Sequence, residues 1–131
     1  MEYLLLLLVS FLFGGMLLFS VGFGSLSFKF LEPVEARKFI RKTFPYFYGF
    51  VVGISALLVI LSFNVSKTIA ALGLIIFLTA VPTSQILMPA INKASDLKRR
   101  RKFITLHTLS VVITLMHIII CAVLLYLISK K

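Results

Sequence analysis

The sequence has few acidic residues, a single cysteine and no tryptophan. Only four of its 131 residues are Asp or Glu, and charged residues make up 14% of the chain against 60% hydrophobic residues. About a quarter of the residues in a soluble domain are charged, so this composition excludes a soluble globular protein. The acidic residues all lie outside the apolar runs, which excludes a carboxylate pair or an acidic proton relay inside a membrane. A lone cysteine, Cys121, also excludes an internal disulfide.

Four long apolar runs occupy most of the chain, at residues 3–28, 44–64, 68–92 and 103–129. A helix that spans a bilayer needs about 20 apolar residues. We therefore expect one membrane domain over residues 1–131, with an all-α fold: an integral membrane four-helix bundle in which neighbouring helices are antiparallel.

The two connectors at residues 29–43 and 93–102 are basic. The first of them mixes charges with a few apolar residues, which predicts a short interfacial helix between the first and second spans. Tyr46 and Tyr48 lie near the start of the second run, where an aromatic belt is expected.

Basic residues are distributed unevenly between the two sides of the predicted bundle. Eleven of the fourteen lie in the two basic connectors, and only Lys67, Lys130 and Lys131 lie on the other side. Because short loops rich in Lys and Arg stay in the cytoplasm, we expect cytoplasmic connectors and both termini on the outer side of a plasma or bacterial inner membrane. The net charge of +10 then predicts contact with anionic lipid headgroups, and no binding of nucleic acid.

Polar side chains within apolar runs indicate which helix faces avoid lipid, since such residues are costly in hydrocarbon. In the fourth run, five of them recur at intervals of three and four residues and share one helix face. In the third run, Pro82 and Pro89 predict a helix kink. They also leave backbone carbonyl groups without their usual N–H donors. We expect a polar vestibule in the cytoplasmic half of the bundle, lined by Gln85, Asn92, His107, Ser110, Thr114 and His117.

A purely structural role for these residues is the alternative. Thr83 and Gln85 could simply satisfy the carbonyls that the prolines free, and each histidine could pack as a neutral side chain. The two histidines are ten residues apart on one predicted helix, or about 15 Å, so they cannot hold one metal ion together. The sequence therefore identifies no metal site and leaves any cofactor unknown.

Small residues in the first two runs predict close helix packing. Gly15 and Gly22 share one face of the first run, and Gly49 and Gly53 form a small-xxx-small pair in the second. Such pairs allow helix backbones to approach each other closely in membranes.

Several short motifs resemble the transmembrane-protein-205-like family of small four-span membrane proteins, whose shared domain has no assigned activity. They are Gly14-Gly15-Met16 running into Ser20-Val21-Gly22-Phe23, the segment Phe44-Pro45-Tyr46-Phe47-Tyr48, and Phe103 with His107 and Ser110. The resemblance covers nearly the whole chain and implies a four-span fold in which Phe44, Pro45, Tyr48 and His107 are characteristic positions. It also leads us to expect an asparagine seven residues after the histidine, where this chain has Thr114.

Three functions fit these observations, and none of them is enzymatic. We expect a transport or channel component that uses the polar vestibule. The alternative is an accessory or scaffold subunit of a larger membrane complex, and self-association would suit the same apolar faces. A weaker alternative is a redox protein that binds haem or copper through His107 or His117.

Overall fold

The structure, a computed structural model, describes residues 1–131 and consists of four long helices without any strand. The helices are α1 (Glu2–Phe30), α2 (Pro33–Ser62), α3 (Lys67–Asp96) and α4 (Arg100–Ser129). Each is long and apolar enough to cross a membrane. The chain is therefore a small integral membrane protein, and the predicted four-helix bundle is confirmed.

The helices follow one another around the bundle. α1 packs against α2 and α4, and α3 packs against the same two helices. Because the connections are only two to four residues long, consecutive helices run antiparallel. Residues 31–32 and 97–99 lie at one end, here called the basic end. The two termini and residues 63–66 lie at the other, here called the far end.

The interfacial helix predicted between the first two spans does not exist as a separate element. Its residues from Pro33 onward are the first turns of α2, which continues without a break to Ser62. Proline in the first turn and the acidic Glu35 nearby favour a helix start at this point. Pro45, which lies at the start of the predicted second span, is accommodated inside the helix.

The prediction of an aromatic belt fails for one of its two tyrosines. Tyr46 is 82% exposed on the outside of α2, but Tyr48 is only 3% exposed and points into the bundle. Two residues along a helix correspond to a rotation of about 200°. The two side chains therefore cannot lie on the same face.

α1 and α3 each contain a π-helical segment at the same position along the helix. Leu18–Phe23 follows 16 α-helical residues in α1, and Thr83–Leu87 follows 16 in α3. In both segments a hydroxyl group donates a hydrogen bond to the carbonyl four residues earlier, from Ser20 to Met16 and from Thr83 to Thr79. Bonds of this kind compete with the regular backbone ladder and bend helices.

The two halves of the chain therefore have the same layout. Each begins with 16 α-helical residues, passes through a π-helical segment and a shorter α-helical one, and turns into a helix of 30 residues. The helix pairs α1–α2 and α3–α4 thus share the same order of helical segments. Membrane proteins built from structural repeats commonly place their binding site where the repeats meet, near the midplane.

The far end of the bundle is closely packed. Buried apolar side chains from all four helices meet there, among them Leu5, Val9, Leu12, Leu58, Ile69, Leu124 and Ile128. Gly73 of α3 lies directly against α2, because a Cβ added to it would be 3.2 Å from Leu58 and 3.3 Å from Val59. This close approach joins the two helix pairs.

Packing between the two helix pairs weakens towards the basic end. α1 contacts α4 through Glu2–Leu17, and beyond Leu17 it packs mainly on α2. The interior stripe of α1 is fully buried as far as Met16, but no residue of Leu18–Phe23 is buried. α1 and α4 therefore lose most of their contact beyond the π-helical segment of α1.

Candidate functional site

A hydrogen bond between two helices lies in the interior of the bundle. His117 of α4 is 2% exposed, and its Nε2 lies 2.6 Å from Thr79 Oγ1 of α3. The two residues lie at the same depth, each 12 residues from the far end of its helix. An ionisable group at this depth must find a partner inside the protein, because lipid offers none.

The bonding of Thr79 indicates the direction of this hydrogen bond. The Thr79 hydroxyl lies 2.7 Å from the carbonyl oxygen of Ile75 in its own helix. A hydroxyl carries a single proton, so when Thr79 donates it to Ile75 the same hydroxyl accepts from a ring N–H at Nε2 of His117. A neutral imidazole that donates from Nε2 retains a lone pair on Nδ1, so the histidine can accept a hydrogen bond or a proton there.

Tyr48 brings a third helix to the same depth. Its side chain is buried, and its hydroxyl lies near Thr114 of α4. The Thr114 hydroxyl itself donates to the carbonyl of Ser110, at 3.0 Å. We call the four side chains Tyr48, Thr79, Thr114 and His117 the polar layer. The layer joins α2, α3 and α4 and lies next to the π-helical segment that begins at Thr83.

The structure divides the six residues of the predicted vestibule into three groups. Ser110 and His117 are buried, Asn92 and Thr114 are partly exposed, and Gln85 and His107 are exposed. The expectation that the complete polar stripe of α4 faces protein is therefore wrong for His107. Its ring stacks instead on Phe103 of the same helix, with 5.6 Å between the ring centroids.

The loss of burial along α4 has a simple cause. Cys121, Thr114 and His107 recur every seven residues on one line of the helix, and they are buried, partly exposed and exposed respectively. The exposure rises as the line leaves the half of α4 that α1 covers. Helical periodicity correctly places these residues on one face. It does not give the position along α4 beyond which α1 no longer covers that face.

Two members of the polar layer are absent from the predicted vestibule, and each had a signal in the sequence. Thr79 is a polar residue within the third apolar run, four residues before the π-helical segment. Tyr48 belongs to the aromatic and proline motif at the start of the second run. The sequence position of Tyr48 is compatible with either the membrane interface or the interior of the bundle. Only the packing of α2 distinguishes these two locations.

The predicted packing glycines behave differently from one another. Gly15 lies against α2, because a Cβ there would be 2.6 Å from the Phe50 ring. Gly22 has only its own helix nearby, and Gly49 and Gly53 have no neighbouring atom within 4 Å of an added Cβ. Gly49 and Gly53 therefore contact no other helix of this chain, because α2 packs through its opposite face.

The residues of the interior do not form a multidentate metal site. No group of three or more His, Cys, Asp or Glu side chains is close enough to hold one ion. His107 lies on the surface, and Nε2 of His117 is already bonded to Thr79.

One ion pair links the two helix pairs at the basic end. Arg41 of α2 donates two hydrogen bonds to Asp96 of α3, Nη1 to Oδ1 at 2.7 Å and Nη2 to Oδ2 at 2.9 Å. Both side chains are about half exposed, at 48% and 56%. Although the geometry is bidentate, solvent screens pairs with this exposure, and they contribute at most about 1 kcal/mol.

We expect a small but specific energetic coupling between these two residues. Arg41→Asp and Asp96→Arg should each lower the melting temperature slightly, and the double variant should recover most of the loss because the pair is restored with reversed charges. Thermal unfolding in detergent can be followed with a thiol-reactive dye, since Cys121 is the only cysteine and is buried. Additive losses in the double variant would contradict a direct interaction.

Comparison with known proteins identifies a family whose activity is unknown. A family model described as a domain of unknown function (DUF4149) matches residues 7–100, which include most of α1 and all of α2 and α3. No curated protein and no solved structure matches the chain. The matched region contains Tyr48 and Thr79 but not His117. Because the match covers more than two thirds of its length, the chain belongs to the DUF4149 family of unknown function.

Proposed function

We propose that this protein is a transport or channel component, in which the polar layer is the central site for a small polar solute. One observation carries this proposal. His117 is buried near the middle of the bundle and hydrogen-bonded to Thr79 of the neighbouring helix α3, next to a π-helical segment. Intramembrane ionisable residues most often serve pathways for ions or substrates.

The shared layout of the two helix pairs supports this proposal. Transporters built from repeats bind their substrates near the midplane, beside helices whose regular hydrogen bonding is interrupted. Here the interruptions are Leu18–Phe23 and Thr83–Leu87. π-Helical turns are frequent at functional sites, and the first of these two lies where α1 stops packing on α4.

The packing suggests how access to the layer is controlled. In this proposal a solute reaches the layer from the basic end, where α1 no longer packs on α4. Apolar side chains from all four helices close the far end. Passage of a solute requires the far end to open, and the two π-helical segments are the natural hinges for a rocking motion of one helix pair against the other.

The chemistry of the layer limits the class of solute. It offers hydroxyl and imidazole groups, and no carboxylate lies within an apolar run to attract a cation. The basic end carries eleven basic and three acidic residues, so it concentrates anions there. A small anion or a proton therefore fits the site, because imidazole nitrogens can donate or accept a hydrogen bond.

The orientation belongs to the same proposal. The basic end lies in the cytoplasm and both termini lie outside, since the excess of Lys and Arg in short loops sets topology. The resemblance to the transmembrane-protein-205-like family is likewise proposed as the closer relationship. Two of its three motifs lie inside the matched region, whereas Phe103, His107 and Ser110 lie beyond residue 100.

The experiment is flux into proteoliposomes combined with one-sided modification. Chloride is followed with a quenched dye and protons with a pH-sensitive dye. In a Cys121→Ser background, Thr114→Cys places a thiol in the polar layer. We expect a membrane-impermeant thiosulfonate to modify that thiol from the basic end and to reduce the flux, because the proposed access to the layer is from that end only. Trypsin cleavage in the basic connectors measures the orientation of the protein in the vesicles.

The native cysteine provides the matched control. Cys121 lies seven residues beyond Thr114 on the same line of α4 but is buried in the closed half. It should remain unmodified in the otherwise unchanged protein, from either side. If neither probe crosses faster than in protein-free vesicles, the transport proposal is wrong. Migration with a larger assembly in gentle detergent would then favour an accessory subunit.

A further inference from the structure

A small groove lies at the basic end, where α3 turns into α4. Its floor consists of Ala90, Ala94 and Leu97, and its walls carry Lys93, Arg99 and Lys102. The volume is about 90 Å³. A water molecule occupies about 30 Å³ in the liquid, so the groove suits a group the size of a phosphate and excludes an acyl chain.

The backbone fixes one wall of this groove. Lys98 has a φ of 56°, and Arg99 N donates to the carbonyl of Ala94 at 2.9 Å. This is the hydrogen bond of a helix C-cap in which a left-handed residue reverses the chain. Arg99 is thereby held over the last turn of α3 before any ligand binds.

The charges of the groove are not neutralised within the protein. The two ion pairs of the chain are Lys38–Glu35 and Arg41–Asp96, and neither includes a wall residue. The nearest carboxylate in the sequence, Asp96, is held by both guanidinium N–H groups of Arg41 on α2. Three cations therefore surround an apolar floor without an anion of the protein's own.

We propose that this groove binds the phosphate of an anionic phospholipid. The argument is charge complementarity together with position. The groove begins directly after the third apolar run, which places it at the level of lipid headgroups. The acyl chains of the lipid lie on the exposed apolar surface of the helices. The binding is independent of transport, so it survives even if the protein carries no solute.

The test compares two variants with equal loss of charge. Lys93, Arg99 and Lys102 are replaced by Gln in one variant, and Arg37, Lys38 and Lys42 are replaced by Gln in the other. Native mass spectrometry of the full chain at about 0.15 M salt, where the screening length is about 8 Å, measures retention of phosphatidylglycerol and of phosphatidylcholine. We expect the groove variant to lose phosphatidylglycerol binding by about tenfold or more, and the control variant to lose far less.

Three outcomes would overturn the proposal. An equal loss in both variants would mean that the basic end attracts anionic lipid only through its total charge. Equal retention of the two lipids by the unchanged protein would exclude selectivity for an anionic headgroup. Displacement of the lipid by millimolar inorganic phosphate would identify a soluble anion as the ligand. Thermal unfolding followed at Cys121 separates each of these results from loss of the fold.

Discussion

Replacing His117 with leucine should reduce flux through the reconstituted protein to the level of protein-free vesicles. The substitution removes both ring nitrogens, including the Nε2 that bonds Thr79. Leucine has a similar bulk, so the close packing around the site is kept while its polarity is lost. The chloride and proton dyes in proteoliposomes measure the effect, with the amount of inserted protein determined for each variant.

His107→Leu is the matched control for this experiment. It removes the same chemical group from the same helix, ten residues away and on the surface. If the interior layer is the site, His107→Leu retains most of the flux. The opposite result, in which only His107→Leu abolishes flux, would place the pathway on the outer surface of α4 at the basic end and would contradict the polar layer as the site.

Stability does not account for the expected loss. Interhelical hydrogen bonds in membrane proteins contribute about 0.6 kcal/mol on average and at most about 1.7 kcal/mol. His117→Leu also removes a polar group from the interior, which offsets part of that loss. The melting temperature should therefore change little. Thr79→Val, which removes the hydrogen-bond acceptor but keeps the imidazole, should reduce flux less than His117→Leu and leave the fold intact.

The sequence predicts the architecture well because membrane insertion depends on composition. A run of about 20 apolar residues must be helical in lipid, where every backbone group needs an internal partner. Four such runs with short connectors leave only an antiparallel bundle. The extension of α2 back to Pro33 was harder to predict, because residues 33–43 are charged and show no apolar period. Helix start signals at Pro33 and Glu35 are the information that indicates it.

The site was predictable only in part, and the histidines illustrate the reason. His107 and His117 share a face of α4 by periodicity, and the structure keeps them within one stripe. Periodicity does not show which neighbouring helix covers this face, or over what length. α1 covers α4 mainly through Glu2–Leu17. This covered length ends at the π-helical segment Leu18–Phe23, which contains no proline to indicate it in the sequence. In α3, by contrast, Pro82 and Pro89 indicate the irregular segment directly.

The glycines show the same limit of sequence-based prediction, in this case for helix packing. The pair Gly49 and Gly53 has the spacing of a helix-packing motif, yet it faces away from the bundle. Gly73, which has no such partner in the sequence, lies where α2 and α3 come closest. A spacing rule identifies residues that permit close approach, but the stripe of buried side chains on the same helix determines which face another helix meets.

Replacing Gly73 with leucine should destabilise the fold strongly. Even a Cβ at this position would lie 3.2 Å from Leu58 and 3.3 Å from Val59. Leu58 is fully buried, so it has little room to move away. Inserting larger side chains into a packed interior costs about 1–3 kcal/mol and occasionally more. Because the α2–α3 contact joins the two helix pairs, we expect an earlier and broader thermal transition, measured by dye reaction with Cys121.

Gly53→Leu provides the control for this prediction, since it adds the same side chain to an exposed helix position with no atom within 4 Å. It should leave the melting temperature unchanged or raise it, because leucine favours a helix more than glycine by up to about 1 kcal/mol. Gly73→Ala should fall between the two. If Gly73→Leu and Gly53→Leu were equally stable, α2 and α3 could not be packed at Gly73 as closely as described.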